Sequence, residues 1–373
     1  MRLETIAVRA GGEPDPATGA VAPPIHLSTT FEHGPAAEEL HGFSYIRDAN
    51  PTGTRLEEAL ASLEGGSSSL IFSSGMAAGA AYVQSLPAGS HIVYPDDLYH
   101  GFRVLFEEFA PRWGLSASAI DMSNLDSFGP ALRKETRLLW TESPSNPLMK
   151  VVDLGELAGI AHDVGAKLLV DSTFATPALQ QPLLLGADCV LHSTTKYLGG
   201  HSDVQGGALV FRSGAEEHDL VEHTRQILGA VASPFNSWLV LRGLRSLCCR
   251  MERHSANAMA IARSLQTHSA IEAVHYPGLS SHSGHAVARK QMKQFGGMLS
   301  IQIAEGRDAA VAVASRLKLF INATSLGGTE SLIEHRASSE GPRSLTPQNL
   351  LRISVGLEHP DDLLEDLLQA LEQ

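Results

Sequence analysis

The chain has 373 residues, of which 43% are hydrophobic and 18% are charged. This length and balance allow two domains with a sizeable core and exclude a disordered chain. The formal net charge of -13 argues against a nucleic-acid partner, because phosphate binding requires clustered lysine and arginine. The three cysteines are odd in number and poorly placed for a disulfide framework, so they favour a cytoplasmic setting. Since the sequence shows neither an apolar leader nor a membrane-length apolar run, we expect neither secretion nor a membrane partner.

The N-terminal segment, residues 1–46, is rich in proline and glycine and shows no sustained helical period. We interpret it as an extended arm that packs on a neighbouring subunit. In the segment that follows, Leu56, Leu60 and Leu63 share one helical face, and Gly65 predicts the end of that helix.

Short apolar runs then alternate with helical patterns. The runs lie at residues 69–72, 91–94, 137–140, 168–170, 190–191 and 208–211. This alternation predicts an α/β fold with a mainly parallel sheet flanked by helices. A long helical pattern at 237–266 leads into a smaller C-terminal α/β domain. We place the boundary near residue 245, which gives a large domain at 47–245 and a C-terminal domain at 246–373.

Two of the apolar runs end in residues that can bind a cofactor. One is followed by Asp171, and the next by Ser193, Thr195 and Lys196. Ligands of open α/β sheets bind beyond the carboxyl ends of the strands, so we expect these side chains in one crevice. Pyridoxal phosphate requires a lysine for its Schiff base, a carboxylate for its pyridine nitrogen and hydroxyls for its phosphate. The sequence therefore predicts a pyridoxal 5'-phosphate site.

The run from Ser193 through Lys196 and Tyr197 to Gly-His-Ser-Asp at 200–203 resembles the cofactor-attachment motif of the trans-sulfuration family. The likeness extends from residue 4 to about 371. That family includes cystathionine γ-synthase, cystathionine γ-lyase, methionine γ-lyase and O-acetylhomoserine sulfhydrylase. The resemblance implies a fold-type-I pyridoxal-phosphate enzyme that carries out γ-elimination or γ-replacement on a sulfur-containing or O-acylated homoserine-type amino acid.

The resemblance also implies roles for individual residues. Lys196 is expected to form the Schiff base and act as catalytic base, Asp171 to pair with the pyridine nitrogen, and Arg352 to bind the substrate carboxylate. Tyr99 is expected to stack on the cofactor ring and assist proton transfer. The other implied positions are Gly75, Met76, Ser193 and Thr195 at the cofactor phosphate, Thr173 beside the cofactor ring, and Asn146 and Ser325 near the substrate. No metal ligand is expected.

Tyr45 and Arg47 precede the first helix of the large domain. The family pattern sends this pair across a dimer interface to the phosphate of the neighbour's cofactor. Arginine suits that task because it stays charged and binds phosphate bidentately. The resemblance thus implies a homodimer with shared active sites, and tetramers are usual in the family.

Several positions depart from the family pattern and bear on the substrate. Gly101 lies where methionine γ-lyases usually carry cysteine, and Thr324 lies where members that handle cystathionine commonly have glutamate. Arg336 replaces the proline of a His-Pro-Ala sequence, and together with His100 it favours an acidic distal group on the substrate. We favour cystathionine γ-lyase or γ-synthase chemistry, with methionine γ-lyase and O-acylhomoserine sulfhydrylase activities as alternatives.

Two other classes of protein fit the sequence less well. A dinucleotide-binding dehydrogenase requires a Gly-x-Gly-x-x-Gly turn after the first strand, and none is found there. A cofactor-binding protein without catalysis has little support, because Lys196, Asp171, Tyr99 and Arg352 are all present.

Overall fold

The computed structural model describes residues 1–372, which form two β-sheets with helices packed around them. The strands are β1 Ser68–Phe72, β2 His91–Pro95, β3 Ser116–Ile120, β4 Thr136–Glu142, β5 Lys167–Asp171, β6 Cys189–His192, β7 Gly207–Phe211, β8 Ile271–His275, β9 Met298–Ile303, β10 Ile321–Asn322, β11 Leu332–His335 and β12 Leu350–Ser354. The α-helices are α1 Leu3–Val8, α2 Pro51–Glu64, α3 Gly75–Ser85, α4 His100–Val104, α5 Phe128–Ala131, α6 Leu154–Asp163, α7 Thr176–Leu179, α8 Glu217–Leu228, α9 Pro234–Leu244, α10 Leu247–Leu265, α11 His285–Gln291, α12 Arg307–Arg316, α13 Arg336–Glu340 and α14 Pro360–Leu371. A π-helical turn spans Leu105–Phe109, and 3₁₀ turns span Ala110–Trp113, Leu125–Ser127 and Pro182–Leu185.

The large sheet has seven strands in the order β1-β7-β6-β5-β4-β2-β3. Strands β6, β5, β4, β2 and β3 pair in parallel, whereas β7 is antiparallel to both β6 and β1. The central strands are buried on both faces: Leu138 and Trp140 pack on the side of α3, and Leu139 packs on the side of α6. Such two-sided burial explains the continuous apolar runs and confirms the predicted mainly parallel sheet.

The helix predicted around Leu56 is present as α2, and it ends where predicted, at Gly65, whose φ is 70°. The N-terminal segment contains a helix that its pattern did not indicate, α1, which packs on α2 and α10 and buries Ala7. The expectation of a wholly extended arm is therefore wrong for these six residues, because so short a helix gives too few turns to reveal a period.

The single long helix predicted at 237–266 is wrong, since the structure has two helices there, α9 and α10. Helix α9 ends where Gly243 packs on the backbone of Gly199, and a Cβ on Gly243 would lie 2.3 Å from that residue's carbonyl oxygen. The guanidinium of Arg250 donates to the carbonyl of Gly243 at 2.8 Å and to that of Tyr197 at 2.7 Å. The break thus ties both helices to the loop that follows β6.

The second sheet has the order β10-β11-β12-β9-β8 and its own apolar core. Residues such as Leu299 and Ile353 from this sheet pack with Ile261 of α10 and Leu367 of α14. Within residues 1–372, no helix combines the length and the apolar composition that crossing a membrane requires.

Candidate active site

A cavity lies beyond the carboxyl ends of the parallel strands of the large sheet, with residues of the second sheet and its loops on its opposite wall. The structure brings together all the predicted site residues except the arm pair. Those that line the cavity are Gly75, Met76, Tyr99, Asn146, Asp171, Thr173, Ser193, Thr195, Lys196, Ser325 and Arg352. These side chains therefore share the crevice expected for open α/β sheets, and the roles assigned to them stay predictions.

Lys196 lies in the loop after β6, and its Nζ donates a hydrogen bond to Oγ of Ser325 at 2.6 Å. Burial, together with the charge of Arg352, lowers the pKa of the Lys196 amine to about 8. Ser325 holds its backbone at a φ of 85°, in the left-handed region that costs free energy for a residue with a side chain. The amine is therefore both held in place and close to its nucleophilic, uncharged form at neutral pH.

Asp171 ends β5 with only 5% of its surface exposed. Burial raises the pKa of its carboxyl, although hydrogen bonds from Thr173 and the charge of His192 oppose the rise. The backbone N–H of Thr173 donates to Oδ1 of Asp171 at 3.0 Å, and the Thr173 hydroxyl accepts the N–H of Ser193 at 2.9 Å. A buried acid that faces a cavity is suited to a cationic ligand group.

The turn between β1 and α3 presents the start of a helix to the same cavity. The Ser74 hydroxyl caps α3 by accepting the N–H of Ala77 at 3.0 Å. Gly75 lies so close to the loop after β6 that a Cβ on it would be 2.9 Å from Cβ of Ser193. Because the first N–H groups of a helix lack partners within the helix, this end is suited to a phosphate.

Arg352 lies in β12 directly opposite Glu334 of β11, and its Nη2 donates to the Glu334 carboxylate at 2.6 Å. It also donates to Oδ1 of Asn146 at 3.2 Å and to the carbonyl of Ser325 at 3.0 Å. Burial and the nearby charge of Arg336 lower the pKa of Arg352 to about 10, which leaves it cationic at neutral pH. Three hydrogen-bonding groups of the chain thus fix one guanidinium in the cavity wall.

Tyr99 lies at the cavity, 41% exposed, and its backbone N–H donates to Oε2 of Glu142 at 2.8 Å. Its ring meets that of Phe102 edge-on, with centroids 5.9 Å apart. A Cβ on Gly101 would lie 2.6 Å from Cε1 of Tyr99. The absence of a side chain at Gly101 therefore leaves room for the Tyr99 ring in this position.

Tyr45 and Arg47 are exposed, and the structure does not place them at the cavity of their own chain. The guanidinium of Arg47 lies over the Tyr45 ring, 5.5 Å from its centroid. Their predicted role, which requires a second subunit, stays a prediction.

Two of the departures from the family pattern, Thr324 and Arg336, also line the cavity, whereas His100 is not among its lining residues within the described chain. Arg336 donates to Glu334 at 3.0 Å and to Glu340 at 2.8 Å. Its charge is thus already paired with two carboxylates, which sequence reasoning did not foresee.

Sequence reasoning missed several other lining residues. They are Ser74, Phe102, Glu142, Phe174, Leu191, Gln205 and Leu326. Glu142 carried a usable signal, since it follows an apolar run in the same way as Asp171. The aromatic and aliphatic members look like ordinary core residues in the sequence, so nothing there marked them.

The residues at the cavity fit pyridoxal phosphate. Lys196 offers a partly buried amine, Asp171 offers a buried carboxyl group, and the start of α3 lies beside Ser193 and Thr195. Gly75 keeps open the space that a side chain would fill. The donor set therefore matches the Schiff base, the ring nitrogen and the phosphate of this cofactor.

Comparison with known proteins agrees with this fit. A profile of the family described as Cys/Met metabolism PLP-dependent enzyme matches residues 4–372. The cystathionine gamma-synthase of Mycobacterium tuberculosis is 47% identical, over 98% of this chain and 96% of that protein. The cystathionine beta-lyase of Coxiella burnetii is 42% identical, over 99% of this chain and 97% of that protein. The crystal structure of cystathionine gamma synthase from Xanthomonas oryzae pv. oryzae in complex with cystathionine has a TM-score of 0.96 and 42% identity, over 100% of this chain and 98% of that one.

These matches confirm three predictions from the sequence: the fold-type-I α/β architecture, the trans-sulfuration resemblance and the pyridoxal-phosphate cofactor. They run over nearly the whole chain, so both sheets and the cavity between them are covered. The chain belongs to the family of pyridoxal-phosphate-dependent enzymes of cysteine and methionine metabolism.

Proposed function

We propose that the protein catalyses γ-replacement on an O-acylated homoserine, with cysteine as the incoming thiol, as a cystathionine γ-synthase does. The observation that carries this proposal is the full-length similarity, at 47% identity, to the cystathionine gamma-synthase of Mycobacterium tuberculosis. The cavity supports a small amino-acid substrate, because a buried arginine and a partly buried amine line it together.

Arg352 binds the α-carboxylate of the substrate in this proposal. Its guanidinium is held by Asn146, by Glu334 and by the carbonyl of Ser325. The side chain therefore loses little conformational entropy when a carboxylate binds. A fixed guanidinium binds a carboxylate in a defined orientation. Arg352 and Lys196 both donate to Ser325, so a substrate held by its carboxylate has its Cα near the amine of Lys196.

Lys196 moves the proton at Cα. With a pKa of about 8, a useful fraction of the amine is unprotonated at neutral pH and acts as a general base. After giving up that proton, Lys196 takes one from Cβ, so that the γ-substituent can leave with a proton from the Tyr99 phenol, and it returns a proton to Cβ when the thiol bonds to Cγ. Bound pyridoxal phosphate supplies the electron sink for the charge that develops at Cα. Asp171 provides the opposite charge for the ring nitrogen.

A second candidate is elimination from cystathionine. The cystathionine beta-lyases of Coxiella burnetii and Lactococcus lactis are 42% and 44% identical to this chain, and γ-lyase chemistry uses the same first proton transfer. Methionine γ-lyase and O-acylhomoserine sulfhydrylase activities stay further alternatives. Gly101 argues against the first of these, since methionine γ-lyases usually carry cysteine at this position, whereas in this chain an added Cβ would lie 2.6 Å from Cε1 of Tyr99.

Product analysis tests these proposals. We expect the purified protein, loaded with cofactor, to convert an O-acylated homoserine and cysteine into a new thioether. Release of 2-oxobutyrate from cystathionine indicates a γ-lyase instead, and release of pyruvate with homocysteine indicates a β-lyase. The Lys196→Ala protein, incubated in parallel, controls for uncatalysed reaction. Thioether formation that is equal in this variant contradicts the proposal.

We also propose a homodimer, and a tetramer built from it, in which Tyr45 and Arg47 reach the partner's cofactor phosphate. The exposure of both side chains supports this proposal.

The division into an arm at 1–46, a cofactor domain at 47–245 and a C-terminal domain at 246–373 is likewise a proposal, supported by the helix break between α9 and α10. A cytoplasmic location is supported by three cysteines that are all free.

A further inference from the structure

Glu142 is a second buried acid beside Asp171, and the mechanism above leaves it without a role. It is the last residue of β4 and pairs in register with Asp171, the last residue of β5. Neighbours in register on parallel strands project to the same face of the sheet. Each residue is 5% exposed, and both line the cavity. Two buried carboxyl groups therefore lie on neighbouring strands and line the same cavity.

The surroundings of the two acids differ. Asp171 accepts the backbone N–H of Thr173, and the charge of His192, at the end of β6, favours its ionised form. Among the described residues, Glu142 accepts a hydrogen bond from the N–H of Tyr99 alone. Burial, then the charge of Asp171 and that of Asp97 after β2, raise the pKa of Glu142 well above its usual value, and the N–H of Tyr99 and the charge of Arg336 only partly oppose them.

Two carboxylates buried on neighbouring strands do not both ionise readily, so a single negative charge belongs to the pair. The donors around Asp171 favour that charge on Asp171. We infer that Glu142 stays a neutral carboxylic acid that positions Tyr99 through its backbone N–H and leaves Asp171 as the one negative charge offered to the cofactor's ring nitrogen. The role of Asp171 toward the cofactor rests on the proposed function, whereas the protonation of Glu142 does not.

Infrared spectroscopy of the apoprotein at neutral pH tests the neutral acid without turnover. We expect a carbonyl band of a buried, protonated carboxylic acid that disappears in Glu142→Gln. The control Glu135→Gln changes a half-exposed glutamate just before β4 and should leave the band in place. Loss of the band in Asp171→Asn with retention in Glu142→Gln assigns the proton to Asp171 and overturns the inference, as does a parent protein without the band.

Cofactor titration tests the positioning role. Glutamine keeps an acceptor for the Tyr99 N–H and, like the neutral acid, carries no charge. We expect Glu142→Gln to bind pyridoxal phosphate within about twofold of the parent, and Glu142→Ala to bind it about tenfold more weakly, a change that corresponds to one lost hydrogen bond of about 1.4 kcal/mol. Equal weakening in both variants contradicts the inference. If the parent binds no cofactor, the proposed function fails, while the infrared result still decides the protonation of Glu142.

Discussion

At the scale of single residues, the amine of Lys196 gives a pH dependence that can be measured. Its pKa of about 8, set by burial and by the charge of Arg352, means that the nucleophilic form increases as pH rises through that value. We expect the initial rate at which the apoprotein captures pyridoxal phosphate to rise with pH and level off above about pH 8. Borohydride reduction at a series of pH values, with peptide mass analysis, measures the cofactor fixed to Lys196.

Arg352→Gln should move this transition to higher pH, because it removes a neighbouring positive charge that disfavours the ammonium form. Arg343→Gln is the matched control, since Arg343 is exposed and pairs only with Glu108 among the described residues. A transition that stays in place in Arg352→Gln contradicts the electrostatic account of the Lys196 pKa.

The place of a single residue in the site can be predicted from the sequence only where a local pattern also places the residues around it. Lys196 and Asp171 follow buried strands, so the topology of a parallel sheet was enough to bring them together. Glu142 obeys the same rule and could have been found in the same way. The ion pairs of Arg336 with Glu334 and Glu340 depend on the pairing of β11 with β12 and on the fold of α13, which no local pattern encodes.

At the scale of elements, the start of α3 gives a test of the phosphate site. Gly75→Ala places a Cβ 2.9 Å from that of Ser193, so the helix and the loop after β6 must separate. We expect a loss of cofactor affinity of about tenfold or more, equivalent to at least about 1.4 kcal/mol. Cofactor titration monitored by absorbance provides the measurement.

Gly159→Ala is the control for this substitution. Gly159 lies within α6 with no atom within 4 Å of an added Cβ, so alanine there should raise the free energy of unfolding by roughly 0.5–1 kcal/mol and leave cofactor affinity unchanged. Unfolding by denaturant checks the stability. Equal affinities in the two alanine variants would argue against a phosphate site at Gly75.

Strands were predictable from the sequence where burial on both faces made them continuous apolar runs. The apolar runs correspond to β1, β2, β4, β5, β6 and β7. Strand β3 escaped prediction because it lies at the edge of the sheet, has the sequence Ser-Ala-Ser-Ala-Ile and is only partly buried. The break between α9 and α10 escaped because a close contact between Gly243 and Gly199 causes it, and these residues are far apart in the chain.

At the scale of the whole molecule, subunit mixing tests the shared active site. Arg47→Ala and Lys196→Ala proteins should each be nearly inactive, because each lacks one part of every site. After unfolding and joint refolding, random dimers should regain about a quarter of the parent's sites, since half of the dimers are mixed and each of these has one complete site. Activity per mole of subunits, compared with that of the parent, provides the measurement.

A mixture of Lys196→Ala with Asp171→Ala is the control. Both residues line the cavity of one and the same chain, so no mixed dimer has a complete site and no activity should return. If the first mixture also stays inactive although mixed dimers form, Arg47 does not act across an interface.

The contact between Gly243 and Gly199 has a consequence for engineering new specificities. Beneath the catalytic loop, main chain meets main chain, and an added Cβ on Gly243 has no room. Side chains such as Thr324 and Phe102, by contrast, form the walls of the cavity. Libraries that seek altered substrate selectivity should therefore vary these wall residues, while Gly199 and Gly243 are kept as glycine.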